Sequence, residues 1–206
     1  MTKQSWSFMI GSALFACGAA VSIWGLGSAD ATNVLCFVGA WFFTAAGLMQ
    51  VVLSGNAVEP GNNAAGRMLN AAWLAAATQS FGTIMFNIST SAALTAKTVR
   101  AEERLVWSPD AGGSVAFLIS AVFVYVAYYR EHERLWDPQA SGWWGAHINM
   151  LGCIAFAVSA AGAFISKTGS AADATLASWG TFSGALCFFL ASMIALPQLG
   201  WNRRNV

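Results

Sequence analysis

Polar side chains recur every four residues in one otherwise apolar stretch, at Gln79, Thr83, Asn87 and Ser91. Residues four apart lie on one side of an α-helix, so the spacing predicts a polar stripe. Amide groups placed in hydrocarbon must find hydrogen-bond partners. Asn149, near the start of another apolar stretch, could join the same group. Two readings stay open: hydrogen bonds between helices, or a small polar cavity that contacts a ligand or a lipid headgroup.

Residues that could support catalysis or metal binding are scattered. His132 and His147 have no partner at metal-ligand spacing, and the four cysteines form no Cys-x-x-Cys pair. The sequence has no glycine-rich phosphate loop and no Gly-x-Ser-x-Gly segment. We therefore predict no catalytic residue, no metal site and no cofactor, and a protein that is not an enzyme.

The composition is that of a membrane protein. Of 206 residues, 57% are hydrophobic and 9% are charged, and the formal net charge is +1. A soluble domain has about 25% charged residues. These values exclude an ordinary soluble protein, a disordered chain and a basic nucleic-acid binder, and they leave membrane lipids as the expected surroundings.

All charged side chains fall outside six apolar stretches. Each stretch is close to the ~20 residues that cross a bilayer as a helix. The sequence therefore predicts an all-α, polytopic membrane bundle with one membrane domain, residues 1–206. Charge-free spans argue against a proton-coupled transporter. The stretches are 7–26, 33–54, 71–96, 112–129, 146–166 and 175–197.

One short pattern occurs once in each apolar stretch: Gly, a small residue or Thr, two variable residues, then Phe. Successive glycines are separated by 28, 43, 31, 39 and 32 residues. The alternation of short and long separations predicts three repeated helical hairpins, 7–54, 71–129 and 146–197. The pattern residues are Gly11, Phe15, Gly39, Phe43, Gly82, Phe86, Gly113, Phe117, Gly152, Phe156, Gly184 and Phe188.

The glycine and the phenylalanine of each pattern are four residues apart and share one helix face. Glycine lets two backbones approach, and close packing holds helices together in lipid. We therefore interpret this pattern as a helix-packing face. The faces are expected to meet inside one bundle, where the rings would block a wide pore, or to face partner subunits.

Residues 6–54 resemble a unit of the YrhK-like family of small bacterial membrane domains. The resemblance rests on Gly11-Ser12-Ala13-Leu14-Phe15 and on Gly39-Ala40-Trp41-Phe42-Phe43. It implies a two-helix hairpin in a bacterial inner membrane. The family has no established activity, so the resemblance implies no catalytic residue.

Two charged loops end in similar segments, Ser108-Pro109 and Asp137-Pro138. Ser or Asp followed by Pro is typical of a helix start, because the side-chain oxygen caps free N–H groups. We therefore expect a helix to begin at each segment, with the charged residues before it in solvent.

The distribution of Lys and Arg among the loops predicts the orientation of the chain in the membrane. If the N-terminus is inside, six of them lie on inner segments and four on outer segments, which predicts that both termini are cytoplasmic. The inner ones are Lys3, Arg67, Arg130, Arg134, Arg203 and Arg204, and the outer ones are Lys97, Arg100, Arg104 and Lys167.

The function favoured by these observations is structural or accessory. The Gly/Phe faces would assemble the protein with itself as a homo-oligomer or with a larger membrane complex. The alternative is a small transporter or channel for a neutral or lipidic solute, which would use the polar stripe of the third helix.

Overall fold

The structure is a computed structural model that describes residues 2–59 and 68–196. Six long helices dominate these residues, and a short antiparallel pair, β1 (Val58–Glu59) with β2 (Met68–Leu69), precedes the third helix. The remaining residues, including Arg67, Arg203, Arg204 and the last residue of the predicted stretch 175–197, lie outside the described part. The helices are α1 (Thr2–Trp24), α2 (Ala29–Leu53), α3 (Ala71–Ala93), α4 (Val99–His132), α5 (Ser141–Gly162) and α6 (Ala174–Ile194).

Five of these helices, α1, α2, α4, α5 and α6, are long and apolar enough to cross a membrane. Helix α3 has 23 residues and is less apolar, because it contains the polar stripe. Large apolar side chains point outward around the bundle, among them Val52, Leu151 and Trp41. An exposed apolar surface of this extent is typical of a surface covered by lipid. The chain has the character of a multi-pass membrane protein.

Polar caps set where several helices begin. The side chains of Ser28, Asn70, Thr98 and Asp173 accept hydrogen bonds from backbone N–H groups in the first turns of α2, α3, α4 and α6. These caps satisfy donors that have no partner inside the helix. The capped helices α2, α4 and α6 begin before their predicted apolar stretches, most clearly α4, which begins thirteen residues before the predicted span at 112.

A regular α-helical segment begins at Ser108 with Pro109 in its first turn, as the sequence predicts. The charged residues before it are also helical, because α4 already begins after its cap at Thr98, and no side chain caps the segment at Ser108. A proline inside a regular α-helix lacks its N–H and clashes with the carbonyl four residues earlier. A π-helical stretch, Glu102–Trp107, lies directly before Ser108 and changes the hydrogen-bond register there. The Ser108 hydroxyl then donates to the Glu103 carbonyl over 2.7 Å.

The second predicted start, at Asp137-Pro138, is wrong. Helix α5 begins at Ser141, and Ala140 is the residue before it. The Ala140 N–H donates to the Asp137 carbonyl over 3.0 Å, so this segment forms a turn ahead of the helix.

The six helices form a ring in chain order. Each packs against the helices before and after it, and α6 closes the ring by packing against α1. The most extensive contacts join α1 with α2, α3 with α4 and α5 with α6. Consecutive helices are antiparallel, because the first parts of α1, α3 and α5 and the last parts of α2, α4 and α6 lie at the same end of the ring.

Within each of these three pairs, the phenylalanine of one helix lies over the glycine of the other. A Cβ atom built on Gly82 would lie 2.6 Å from the Phe117 ring, and one on Gly184 would lie 2.6 Å from the Phe156 ring. In the first pair, a Cβ atom on Gly39 would lie 2.8 Å from the ring of Phe15. A Cβ atom at any of these glycines would therefore overlap the facing ring, so the ring or the paired helices would have to move.

The six phenylalanines of the pattern meet at the centre of the ring, and we call them the phenylalanine cluster. Each ring is at most 5% exposed. Neighbouring centroids are 5.0 Å apart for Phe86 and Phe117 and 5.2 Å apart for Phe156 and Phe188. Contacts at these distances also join rings of different pairs, such as Phe86 with Phe156 at 5.7 Å. The cluster thus connects all three helix pairs.

Close backbone packing predicts a strong effect of one added methyl group. A Cβ atom on Gly180 would lie 2.7 Å from the Ser159 nitrogen and 2.8 Å from the Ala155 oxygen, both backbone atoms. We expect Gly180→Ala to lower the free energy of unfolding by about 1–3 kcal/mol, because the helices must separate. Thermal unfolding in detergent, followed by circular dichroism, measures this change.

Gly112→Ala is the matched control. No described atom lies within 4 Å of a Cβ atom at Gly112. Alanine favours a helix over glycine by about 1 kcal/mol, so this variant should be as stable as the wild type or more stable. Equal stability of the two variants would contradict the close contact at Gly180.

Candidate functional site

Two cavities lie at opposite ends of the ring, and the phenylalanine cluster separates them. The first has a volume of about 520 Å³ and lies where α1, α3 and α5 begin and α2, α4 and α6 end. The second has a volume of about 340 Å³ and lies at the other end. Phe188 of the cluster lines the first cavity, and Phe15 and Phe156 line the second. The cluster is therefore a wall shared by both cavities.

We call the first one the amide cavity, because four amide side chains of the described residues line it: Gln4, Gln50, Gln79 and Asn149. They come from α1, α2, α3 and α5. The Gln50 Oε1 atom is buried and has no hydrogen-bond partner among the described residues. A buried acceptor of this kind requires a partner, and water or a polar ligand in the cavity would supply one.

The residues of the predicted polar stripe separate in the structure. Gln79 lines the amide cavity together with Asn149. Thr83 is fully buried and donates to the Ser80 carbonyl over 2.7 Å. Asn87 and Ser91 line a groove on the outside of the bundle, between α2 and α3. The stripe therefore does not form one site.

Helix geometry explains the separation. Four residues at 3.6 residues per turn advance by about 40° beyond a full turn, so three such steps rotate the direction by about 120°. A stripe that faces the cavity at Gln79 consequently faces outward at Ser91. The Asn87 amide nitrogen donates to Thr44 Oγ1 of α2, so this part of the stripe makes a hydrogen bond between helices.

We call the second one the aspartate cavity, because Asp110 of α4 lines it. Asp110 is half-buried and has no ion-pair partner within the described ranges 2–59 and 68–196. Cys36 and Trp107 lie in the same wall. The Trp107 indole donates to the Ala160 carbonyl over 2.8 Å and thereby joins the start of α4 to the end of α5.

Side chains around the aspartate cavity donate to the backbone. The hydroxyl groups of Thr32, Thr90 and Ser159 donate to the carbonyls of Gly18, Phe86 and Ala177, at 3.2, 2.8 and 2.7 Å. The Asn33 amide nitrogen donates to the Ala93 carbonyl over 3.2 Å. These side chains keep oxygen lone pairs that can accept further hydrogen bonds. The cavity wall is thus rich in acceptors.

Sequence reasoning missed Asp110 as a site residue. The charged run before the fourth apolar stretch indicated a solvated loop, whereas α4 continues through the run and turns Asp110 inward. A carboxylate only a few residues from an apolar stretch and close to Trp107 was the available signal. Asp110 could be recognised as a site residue only by extending the fourth helix toward its N-terminus, beyond the predicted start at 112.

Each histidine contacts groups near it in the chain. His147 Nδ1 contacts the Trp143 carbonyl at 2.8 Å, and His132 stacks on Tyr128. In the part of the chain that the structure describes, no group of three His, Cys, Asp or Glu side chains could hold a metal ion.

We compared the chain with protein-family models, with curated proteins and with solved structures, and none of them matches.

The two parts of the polar stripe should respond differently to substitution. Asn87→Leu removes the hydrogen bond to Thr44, so we expect a loss of about 0.6 kcal/mol in the free energy of unfolding. Gln79 lines the amide cavity, so Gln79→Leu should leave the free energy of unfolding unchanged or raise it slightly. Unfolding of each variant in detergent measures both effects.

Thr44→Val and the double variant Asn87→Leu/Thr44→Val complete a cycle that isolates the hydrogen bond. Additive effects of the two single substitutions would contradict a coupling between these side chains. A large loss of stability in Gln79→Leu would mean that Gln79 supports the fold.

Proposed function

We propose that this protein moves a small polar solute across a membrane, as a transporter or a gated channel, through the two end cavities. The observation that supports the proposal is the position of the phenylalanine cluster between the amide cavity and the aspartate cavity. Transporters bind solutes near the middle of the bilayer, between helices, and hydrophobic constrictions gate channels by excluding water. In this state the cluster closes the path.

The lining of the cavities supports a polar solute. Amide and hydroxyl groups line both ends, and such groups fix the orientation of a small ligand in an otherwise apolar pocket. Volumes of about 520 and 340 Å³ are within the range of small-molecule sites. A solute would exchange hydrogen bonds with water for hydrogen bonds with these groups.

The geometry favours this function over a structural or accessory role. The Gly/Phe faces pack against each other within one chain and are buried there, so they are not available to a partner. A homo-oligomer or a larger complex would have to use the outer surface, such as the groove that contains Asn87 and Ser91. We further propose that the protein is not an enzyme and that membrane lipids are its constant surroundings.

We propose that the three helix pairs are structural repeats and that 1–206 is one membrane domain with α3 as a sixth span. The same Phe-over-Gly contact in all three pairs supports this view. The resemblance to YrhK-like domains stays a prediction, as does a bacterial inner membrane. An even number of spans places both termini on one side, and the basic residues favour the cytoplasm.

Removing a ring from the cluster should open the path. We expect Phe156→Ala to raise the glycerol permeability of liposomes containing the purified protein by about tenfold, because water can enter the constriction. Phe156 contacts four other rings of the cluster. Stopped-flow light scattering of the liposomes measures glycerol entry.

Phe81→Ala is the matched control, because Phe81 is 54% exposed on the outer face of α3 and should not affect permeability. Truncation of a buried Phe costs about 3–5 kcal/mol, so Phe156→Leu serves as a milder variant if Phe156→Ala does not fold. A folded Phe156 variant with wild-type permeability would overturn the proposal that this cluster closes a path.

The proposed topology predicts on which side of the membrane each loop lies. We expect Lys167→Cys, in the loop between α5 and α6, to react in whole cells with a maleimide that cannot cross the membrane. Arg134→Cys, between α4 and α5, should react only after the cells are permeabilised. The unsubstituted protein with its four cysteines is the control, and the reverse pattern would place the termini outside.

A further inference from the structure

We propose that the aspartate cavity binds a small organic ammonium ion, with Asp110 as its counter-charge. The part of this proposal that makes the ammonium ion the transported solute rests on the function proposed above. The part that makes the cavity its binding site depends only on the cavity.

The charge of the cavity points to a monovalent cation. Asp110 is the one charged side chain among the described residues that line it, and no described basic group forms an ion pair with it. Arg100 and Arg104 precede Asp110 on α4, and both side chains are exposed on the surface of the bundle. A partly desolvated carboxylate without a partner is costly, and a bound cation would offset that cost.

The hydrogen-bonding groups of the cavity match an ammonium group. An ammonium ion has three N–H donors and no acceptor. The oxygens of Asp110, Asn33 and Thr90 can accept, because the Thr90 hydroxyl hydrogen and one amide hydrogen of Asn33 are already donated to backbone carbonyls. A carboxylate ligand would meet repulsion from Asp110, and a neutral ligand would leave its charge without a partner.

The size and the remaining lining favour an organic cation over a bare metal ion. A water molecule occupies about 30 Å³ in the liquid. The cavity volume of about 340 Å³ is many times larger. Phe15, Phe156 and Trp107 supply apolar walls for a hydrocarbon portion. Aromatic rings also attract cations through their faces.

Binding of n-propylammonium to the purified full-length protein in detergent tests the proposal. Isothermal titration calorimetry should detect saturable binding to the wild type, and Asp110→Asn should weaken it at least tenfold. Asp30→Asn, at an exposed position at the same end of the bundle, should bind like the wild type. 1-Propanol, which has a similar shape and no charge, should not compete.

Thr90→Val is a second variant, which keeps the side-chain shape and removes one acceptor. We expect it to weaken binding several-fold, so the proposal can be tested even if Asp110→Asn does not fold. Unchanged affinity in a folded Asp110→Asn variant would overturn the proposal. Competition by 1-propanol would also overturn it, because the site would then not select a charge. Displacement of propylammonium by equimolar sodium would overturn it too, because the site would then not select an organic cation.

Calorimetry in detergent needs no transport, so the two proposals can fail separately. Propylammonium binding that depends on Asp110, without uptake of propylammonium into liposomes, would support the site and overturn transport as its purpose. Glycerol entry that depends on Phe156, without propylammonium binding, would overturn the ammonium site alone.

Discussion

Close approach of paired helices at glycine is the contact on which the bundle depends. In lipid the hydrophobic effect does not drive helices together, so van der Waals packing and a few hydrogen bonds must do so. At Gly82 and Gly184 a phenylalanine ring occupies the space that a Cβ atom would need. The glycine thus brings the backbones together, and the ring fills the groove between them. Helix pairing and core formation are consequences of the same contact.

The same contact determines where the bundle is closed and where it has space. The rings all lie at one level, near the middle of the helices, and they contact each other across pairs. Toward the helix ends, amides, hydroxyls and small residues replace phenylalanine, and a cavity remains at each end. A dry centre between two polar ends is therefore a consequence of six similar faces meeting at one level.

Much of the helical framework could be predicted, because composition and spacing are local properties. Apolar length indicated helices suited to a membrane, and the Gly/Phe spacing indicated which side of each helix would pack. Helix ends were harder, because caps such as Thr98 and the π-helical stretch at Glu102–Trp107 extend α4 well beyond its apolar part. The polar stripe was correctly placed on a helix, but spacing alone did not reveal that Gln79 and Ser91 point to different surroundings.

Composition and residue spacing are enough to predict that the chain is helical and suited to a membrane, and that a recurring Gly/Phe pattern marks one face of each helix. These properties follow from hydropathy and from the 3.6-residue helical turn, and both depend only on residues that are close in the sequence. Which polar groups share a cavity is known only from the packing of the six helices. Gln79 and Asn149 meet from α3 and α5, while Asp110, Thr90 and Ser159 meet from α4, α3 and α5. Those groups are distant in sequence, so their meeting depends on how the ring of helices closes.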